Sequence, residues 1–326
     1  MSEVKATKVA ENKAEEPKLR HVSSNPHIRA KDSTSRIMMT VILALLPATG
    51  FGVYHFGLYA LLLILITIAS CVGSELLFNV LTKRKNSLGD FSAVVTGLLL
   101  ALNLPPRAPW WMAVLGGIFA ILVVKMVFGG LGQNFMNPAL GARCFLMISF
   151  PKLMTDFAYD GFSGATPLQE IRNGNPVDLH AMITGNIAGT IGETSMIAIV
   201  IGGCILILTG VIDLYLTGSY LLAFAVFILV FAGRGLDFYY LSTQLAGGGL
   251  MLGAFFMATD YVTRPITKKG QVIYGIFLGV LTGVFRLFGP SAEGVSYSII
   301  IGNLLVPLID KISMPKSFGK KGGKKA

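Results

Sequence analysis

The stretch DGFSGATPL, residues 160–168, places a hydroxyl in the longest polar interruption of an apolar chain. Thr166 follows Gly164 and Ala165 and precedes Pro167, so little bulk shields its oxygen. Such a hydroxyl serves as a nucleophile or as an attachment point, and what separates the two is a nearby base. The four histidines offer none: His21 and His27 lie in the N-terminal tail, His55 at the edge of an apolar run and His180 later in the polar segment. No Ser-His-Asp arrangement can be defended, and no catalytic residue is assigned. By itself, Gly and Ser followed by Pro is a turn signal.

A second stretch, GGLGQNFMNPALGAR (129–143), reads as a glycine loop leading into a short helix, with Asn137 at the N-cap and Pro138 in the first turn. Free amides at such a helix start attract an anion or an electron-rich ring. A plain re-entrant loop is the duller alternative. Asn137-Pro138-Ala139 is also similar to the half-helix motif of water channels, but those channels need a second copy in the other half and none is present.

Charges inside apolar runs cost roughly 2.5–3.5 kcal/mol at a helix centre. Glu75, Asp90, Lys125, Arg143, Asp213 and Asp260 are the set here. Lys125 is expected to snorkel towards the surface and Asp90 to cap a helix. Glu75, deep in an apolar run, and Asp260, closing MATDYVTRP, are candidate cation-path residues. For Asp260 an ion pair with Arg264 is the competing explanation. Cys71, Cys144 and Cys204 are far apart in apolar surroundings, without CxxC or Cys/His spacing, so each reads as a small hydrophobe packed between helices and no metal site is assigned.

The elements that must position these residues are membrane helices. The chain of 326 residues is 53% hydrophobic and 13% charged, where a soluble domain is closer to a quarter charged. Apolar runs of about twenty residues, the length that spans about 30 Å of hydrocarbon, recur along it. Ten candidate spans follow, at 37–56, 57–81, 88–104, 110–128, 136–150, 188–211, 217–232, 240–261, 272–288 and 293–310. The runs at 88–104 and 136–150 are short and Gly/Pro-interrupted, as broken helices would be. The fold class is therefore an all-α polytopic membrane protein.

The net charge of +10 is concentrated in the tails, with eight Lys/Arg in residues 1–36 and six in 311–326. That distribution suits orientation and contact with anionic membrane lipid rather than nucleic acid. With the N-terminal tail inside, Lys83-Arg84-Lys85, then Arg264, Lys268 and Lys269, then the C-terminal tail all fall on the cytoplasmic side. Residues 151–187 fall outside, with Asp156, Asp160, Glu170 and Asp178 against Lys152 and Arg172. No cleavable signal peptide is expected, because the first thirty-six residues are polar. Five spans per half place the second half upside down relative to the first. KMVFGGLGQNFMNPALG (125–141) and RLFGPSAEGVSYSIIIG (286–302) echo one another weakly. The organisation expected is a cytoplasmic basic tail (1–36), a first repeat (37–150), an extracytoplasmic loop (151–187), an inverted second repeat (188–310) and a cytoplasmic basic tail (311–326).

Six ordered blocks carry a family resemblance: NPHIRAKDSTSRIMMTVILALLPA, GDFSAVVTGLLLALNLPP, GGLGQNFMNPALGARCFL, DGFSGATPL, MATDYVTRPITKKGQ and EGVSYSIIIGNLLVPLID. From about residue 24 onward the chain resembles the RnfD subunits of ferredoxin:NAD oxidoreductase complexes and, more distantly, the NqrB subunits of sodium-pumping NADH:quinone reductases. In that family Asp-x-x-Ser/Thr-Gly-Ala-Thr is read by a flavin transferase, which moves FMN from FAD onto the Thr hydroxyl as a phosphoester with magnesium. Asp160, Ser163, Gly164, Ala165 and Thr166 complete the pattern here. The transferase brings its own metal and base, so the absence of a base beside Thr166 is no obstacle.

The resemblance further implies a urea-transporter-like inverted-repeat fold and a second, non-covalent flavin, riboflavin. It makes the GGLGQN loop and MATDYVT candidate flavin neighbours, with Gly130, Asn134 and Asn137 singled out. Implied partners are RnfA, RnfB, RnfC, RnfE and the flavin-bearing RnfG. One departure is Asn25-Pro26-His27 where the family has Ser-Pro-His. The expected function is a membrane flavoprotein subunit that couples electron transfer to Na⁺ or H⁺ translocation and is not catalytic alone. The alternatives are an inverted-repeat secondary transporter or channel without a redox role, and a scaffold that has lost one.

Overall fold

The computed structural model describes residues 33–84, 87–157, 166–289 and 294–315. Among the described residues every regular element is helical. The first half contains α1 (Thr34–Phe56), α2 (Leu58–Leu81), α3 (Ser92–Leu102), α4 (Trp110–Ile118, running on as a π-helix through Phe119–Met126) and α5 (Pro138–Ser149). Three short helices follow, α6 (Pro151–Met154), α7 (Pro167–Arg172) and α8 (Leu179–Thr184). The second half contains α9 (Met196–Leu208), α10 (Leu214–Phe231), α11 (Phe238–Ala246), α12 (Leu250–Leu252, running on as a π-helix through Gly253–Met257), α13 (Lys268–Phe288) and α14 (Val295–Ser313). From Thr34 onward the chain forms one unit.

Five helices, α1, α2, α10, α13 and α14, are long and apolar enough to cross a membrane, and α3, α4 with its π-helix, α5 and α9 are shorter apolar helices. Together with the α11–α12 pair they account for the ten apolar runs. The protein is a polytopic helical membrane protein. The runs at 88–104 and 136–150 carry helices of 11 and 12 residues, about 16–18 Å long and so only about half the hydrocarbon thickness. A break that the apolar pattern does not single out lies in the run at 240–261. Gly248 and Gly249 sit at φ +65° between α11 and α12, a conformation side chains resist.

The sixth run starts later than expected. Residues 188–195 are not helical, and α9 begins only at Met196. The cause is at the end of α3, whose last carbonyls have no intrahelical donor. Gly192 N–H donates to Leu102 O at 2.8 Å and Ile191 N–H to Leu104 O at 3.1 Å. A Cβ at Gly192 would lie 2.5 Å from Leu102 Cβ, so only glycine allows that approach. The chain gives up a turn of its own helix to satisfy another.

Helices α10 and α13 pack closely through Gly275, Gly279 and Gly283, one glycine per turn. A Cβ at Gly279 would stand 2.7 Å from Phe224 N and from Tyr220 O, both backbone atoms that cannot rotate away. The seam also buries a hydroxyl pair, Tyr220 and Thr282, at 2.8 Å. Gly279→Ala is therefore expected to force the helices apart and destabilise the protein by ~1–3 kcal/mol. Gly218→Ala on α10, with nothing within 4 Å of the new Cβ, is expected to be neutral or better. Thermal unfolding of the two purified variants checks this, and equal losses would refute the packing argument.

Candidate functional site

Thr166 immediately precedes α7 as its N-cap, with extended backbone (φ −60°, ψ 153°) and Pro167 in the first turn. Its hydroxyl makes no capping hydrogen bond, although Thr is a capping residue. The oxygen is thus not committed to holding the helix, which suits a residue that must carry a substituent. Asp160, Ser163, Gly164 and Ala165 lie outside the described residues. Helix α7 is anchored by Leu168 and Ile171, which are buried with Val177 and Tyr240 packed against them. Leu168 also lies over Gly247 and Gly248 at the α11–α12 break, where a Cβ at Gly248 would collide with Leu168 Cδ1.

Away from Thr166, α1, α3, α5 and α9 and the two π-helices line a partly enclosed cleft. Its walls are largely apolar, with Val95, Leu99, Leu206 and Phe256 among them, and its polar side chains include Ser92, Thr96, Lys125, Asn134, Asn137, Thr259, Asp260 and Tyr261. Both π-helices contribute, through Lys125 and Phe256. π-Turns inside α-helices occur frequently at functional sites.

The cleft's polar groups are held in defined ways. Asn137 caps α5 as expected, its Oδ1 accepting from Ala139 N at 3.0 Å and Leu140 N at 3.3 Å, while its Nδ2 donates to Met257 O at 3.3 Å. One side chain therefore ties the glycine loop to the end of the second π-helix. Asn134 donates to Met136 O at 3.1 Å. Its Oδ1 is buried without a partner among the described residues, a state that costs ~1–3 kcal/mol unless a ligand or water donates to it. A planar heteroaromatic with an N–H donor and apolar faces fits this combination. Asp260 accepts from Val262 N at 3.5 Å and Thr263 Oγ1 at 3.2 Å. Among the described residues the competing explanation for Asp260, an ion pair with Arg264, does not form; the Arg264 guanidinium lies 4.3 Å from the centre of the Tyr261 ring.

Behind the cleft is a buried charge network. Lys125 does not snorkel: it is 2% exposed and its Nζ lies 2.6 Å from Glu75 Oε2, itself fully buried. The same Nζ donates to Ser92 Oγ at 2.6 Å, and Ser87 Oγ donates to the other Glu75 oxygen. Asp90 is not the N-cap of α3, which is Phe91, but its carboxylate accepts from Ser92 N at 2.8 Å and from Ser92 Oγ and so holds the first helical residue. Glu75 thus has a structural partner that its sequence neighbours do not reveal.

A second buried pair joins the halves. Arg143 Nη1 donates to Glu193 Oε1 at 3.0 Å, Asn103 Oδ1 at 2.7 Å and Ser296 Oγ at 3.0 Å. Sequence reasoning singles out Arg143 but misses Glu193, Asn103 and Ser296. The available signal is Arg143 itself, since a buried guanidinium requires a carboxylate or several acceptors. Cys71 and Cys144 are buried between helices as expected, whereas Cys204 is exposed on α9.

The structure therefore gathers Asn134, Asn137 and Asp260 into one cleft and puts Glu75 one ion pair behind its Lys125 wall. Gly130, at φ +101°, belongs elsewhere. It lines a separate opening with Asn79, Arg84, Ser87 and Asp90, on the loop side of the Glu75 network. Thr166 lines neither opening.

Comparison with known proteins is consistent over about nine tenths of the chain. The family described as NQR2, RnfD, RnfE matches residues 21–319. The D subunit of the Na(+)-translocating ferredoxin:NAD(+) oxidoreductase complex of Acetobacterium woodii is 47% identical over 308 residues, covering 91% of this chain and 95% of that one. The D subunit of the proton-translocating ferredoxin:NAD(+) oxidoreductase complex of Clostridium ljungdahlii is 39% identical over 320 residues, covering 92% and 96%. The D subunit of the ion-translocating oxidoreductase complex of Stutzerimonas stutzeri is 38% identical over 336 residues, covering 89% and 93%. Similarity of this extent, on a helical membrane scaffold, establishes that the chain belongs to the NQR2, RnfD, RnfE family as a subunit of an oxidoreductase complex.

Proposed function

We propose that this chain is the flavin-carrying membrane subunit of an ion-translocating ferredoxin:NAD⁺ oxidoreductase, with FMN joined to Thr166. The observation that carries the reading is the complete Asp160–Thr166 attachment pattern in a chain with relatives named as the D subunits of such complexes in Acetobacterium woodii and Clostridium ljungdahlii. The hydroxyl that makes no capping bond supports it. In the attachment step a flavin transferase directs the Thr166 oxygen at FAD. A phosphoester forms as the pyrophosphate bond breaks, AMP leaves, and the hydroxyl proton passes to the transferase's base. Bound flavin supplies one- and two-electron transfer. Thr166 then acts as a tether, and α7, anchored by Leu168 and Ile171, limits how far the tethered group can wander.

The cleft between the π-helices suits the second, non-covalent flavin, riboflavin. Asn134 Oδ1 would accept from the ring, the apolar walls would cover its faces, and Asn137 and Thr259 would border it. Glu75 and Asp260 stand as candidates on the path of the translocated Na⁺ or H⁺. The proposed topology has two inverted repeats, 37–150 and 188–310, in the cell membrane. The loop 151–187 faces outward, and the tails 1–36 and 311–326 meet the cytoplasm and its anionic lipid. RnfA and RnfE would be integral membrane partners, RnfG a flavin-bearing one, and RnfB and RnfC peripheral ones.

Mass spectrometry of the peptide around residue 166, from cells that flavinylate their other targets, tests the reading. The expected result is an FMN adduct on Thr166; an unmodified peptide would turn the assignment towards a transporter without redox chemistry. For the cleft, Asn134→Leu is expected to lower the riboflavin released on denaturing the complex, with affinity about tenfold weaker for one lost hydrogen bond to a buried acceptor. Unchanged release would remove riboflavin from this cleft.

A further inference from the structure

Beside α7 a third opening brings together three arginines from separate parts of the chain. Arg172 ends α7, Arg234 lies in the turn after α10 and Arg286 is in the last turns of α13. They line about 570 Å³ of empty space, open at the surface, with Leu168, Tyr240 and Gln244. Arg286 is 5% exposed and rigidly placed. It donates to Gln244 O, to Gly247 O at 2.7 Å and to Gly248 O at 3.4 Å, and its guanidinium lies 5.0 Å from the centre of the Phe224 ring. Arg234 lies 4.6 Å from the centre of the Tyr240 ring, and Arg172 donates to Gly289 O. Carbonyls and rings orient these three charges around one space.

The opening is coupled to Thr166 by a single short helix. Leu168, Ile171 and Arg172 of α7 form part of its wall, and Thr166 immediately precedes that helix. Six helical residues rise about 9 Å, so Thr166 is within two turns of every α7 residue at the opening. Apolar and aromatic surface next to converging cations suits a planar ring whose edge gathers negative charge. An isoalloxazine becomes such a ring when reduced, and positive charge near it raises the stability of the reduced form. We infer that this opening seats the ring of the flavin tethered to Thr166, and that Arg172 and Arg234 act as positioning residues favouring its reduced state. The inference rests on the Thr166–FMN reading and adds residues to it. An anionic lipid headgroup shares the chemistry of the opening but has no link to Thr166.

The test uses the intact complex carrying Arg234→Gln or Arg172→Gln, both exposed positions, with Arg234→Lys as the charge-preserving control. In-gel flavin fluorescence under denaturing conditions establishes attachment, and a spectroelectrochemical titration then reads the midpoint potential of the covalent flavin. Both Gln variants are expected to keep the fluorescent band and to shift the potential negative. At a fixed applied potential the reduced-to-oxidised ratio falls roughly three- to tenfold, while the Lys variant stays near wild type. An unchanged or positive shift in both Gln variants, with the band intact, overturns the inference, as does loss of a co-purifying phospholipid without a shift. Absence of the band in wild type refutes the Thr166 reading itself, a result distinct from either.

Discussion

Thr166→Ala is expected to remove all flavin fluorescence that survives SDS denaturation of this chain, whereas Thr166→Ser is expected to retain a fluorescent band. The expected loss is complete because a phosphoester requires an oxygen on the side chain, and alanine has none. Folding should be nearly untouched. Thr166 is the N-cap of α7 but its hydroxyl makes no capping bond, so the usual penalty of ~1 kcal/mol for losing a Thr cap does not apply. Normal membrane yield and complex assembly alongside a dark band would therefore separate loss of the tether from loss of the protein. A fluorescent Thr166→Ala chain would place the attachment elsewhere and defeat the proposal. Electron transfer through the assembled complex is expected to fall with the band, since on the proposed reading the group that carries it would be gone.

Lys125→Met is the most destabilising single substitution expected in the interior. It leaves the Glu75 carboxylate fully buried with its cation removed, and breaking one side of a buried pair costs about 3–5 kcal/mol. The loss should appear as poor membrane yield or a strongly lowered unfolding temperature. Replacing both partners, Glu75→Leu with Lys125→Met, is expected to recover most of it, because two apolar side chains need neither desolvation nor a partner. A double variant no more stable than the single would mean that Ser87, Ser92 and Asp90 carry the network without the pair. The same double variant distinguishes the roles of Glu75. If the residue is only structural, ion uptake by proteoliposomes returns with stability. If it lies on the cation path, the complex assembles but uptake stays low.

How much was legible in the sequence varies by the range over which each feature is decided. Asn137 and Pro138 were readable as a helix start because a cap acts within one turn. Asp90 was readable at the same range, although it holds Ser92 from beside the N-cap Phe91 rather than as the cap itself. The break at Gly247–Gly249 was less visible, since three glycines in an apolar run read equally well as close packing. Lys125 was misjudged because snorkelling is the default for a lysine near the end of an apolar run, and only the approach of α2 to the π-helix of α4 puts Glu75 within 2.6 Å. For Asp260 it was the competing explanation, an ion pair with Arg264, that the structure removed. Arg264 is near in sequence, yet the turn between them directs the guanidinium onto Tyr261. The arginine opening left no sequence signal at all, with Arg172, Arg234 and Arg286 lying in three separate elements.

The amino-acid sequence by itself determined the class of protein, the ten apolar segments, the helix start at Asn137 and the pattern ending at Thr166. Those depend on chain composition and on neighbours a few residues away: a span is set by apolar length, a cap by one side chain and the amides beside it. Tertiary structure alone decided that Lys125 meets Glu75, that Arg143 meets Glu193, and that residues 191–192 leave their helix to satisfy the end of α3. In a low-dielectric interior every charge and every orphan carbonyl must find a partner, but that requirement does not say which one. The choice falls to whatever the packing of distant helices brings within hydrogen-bond reach.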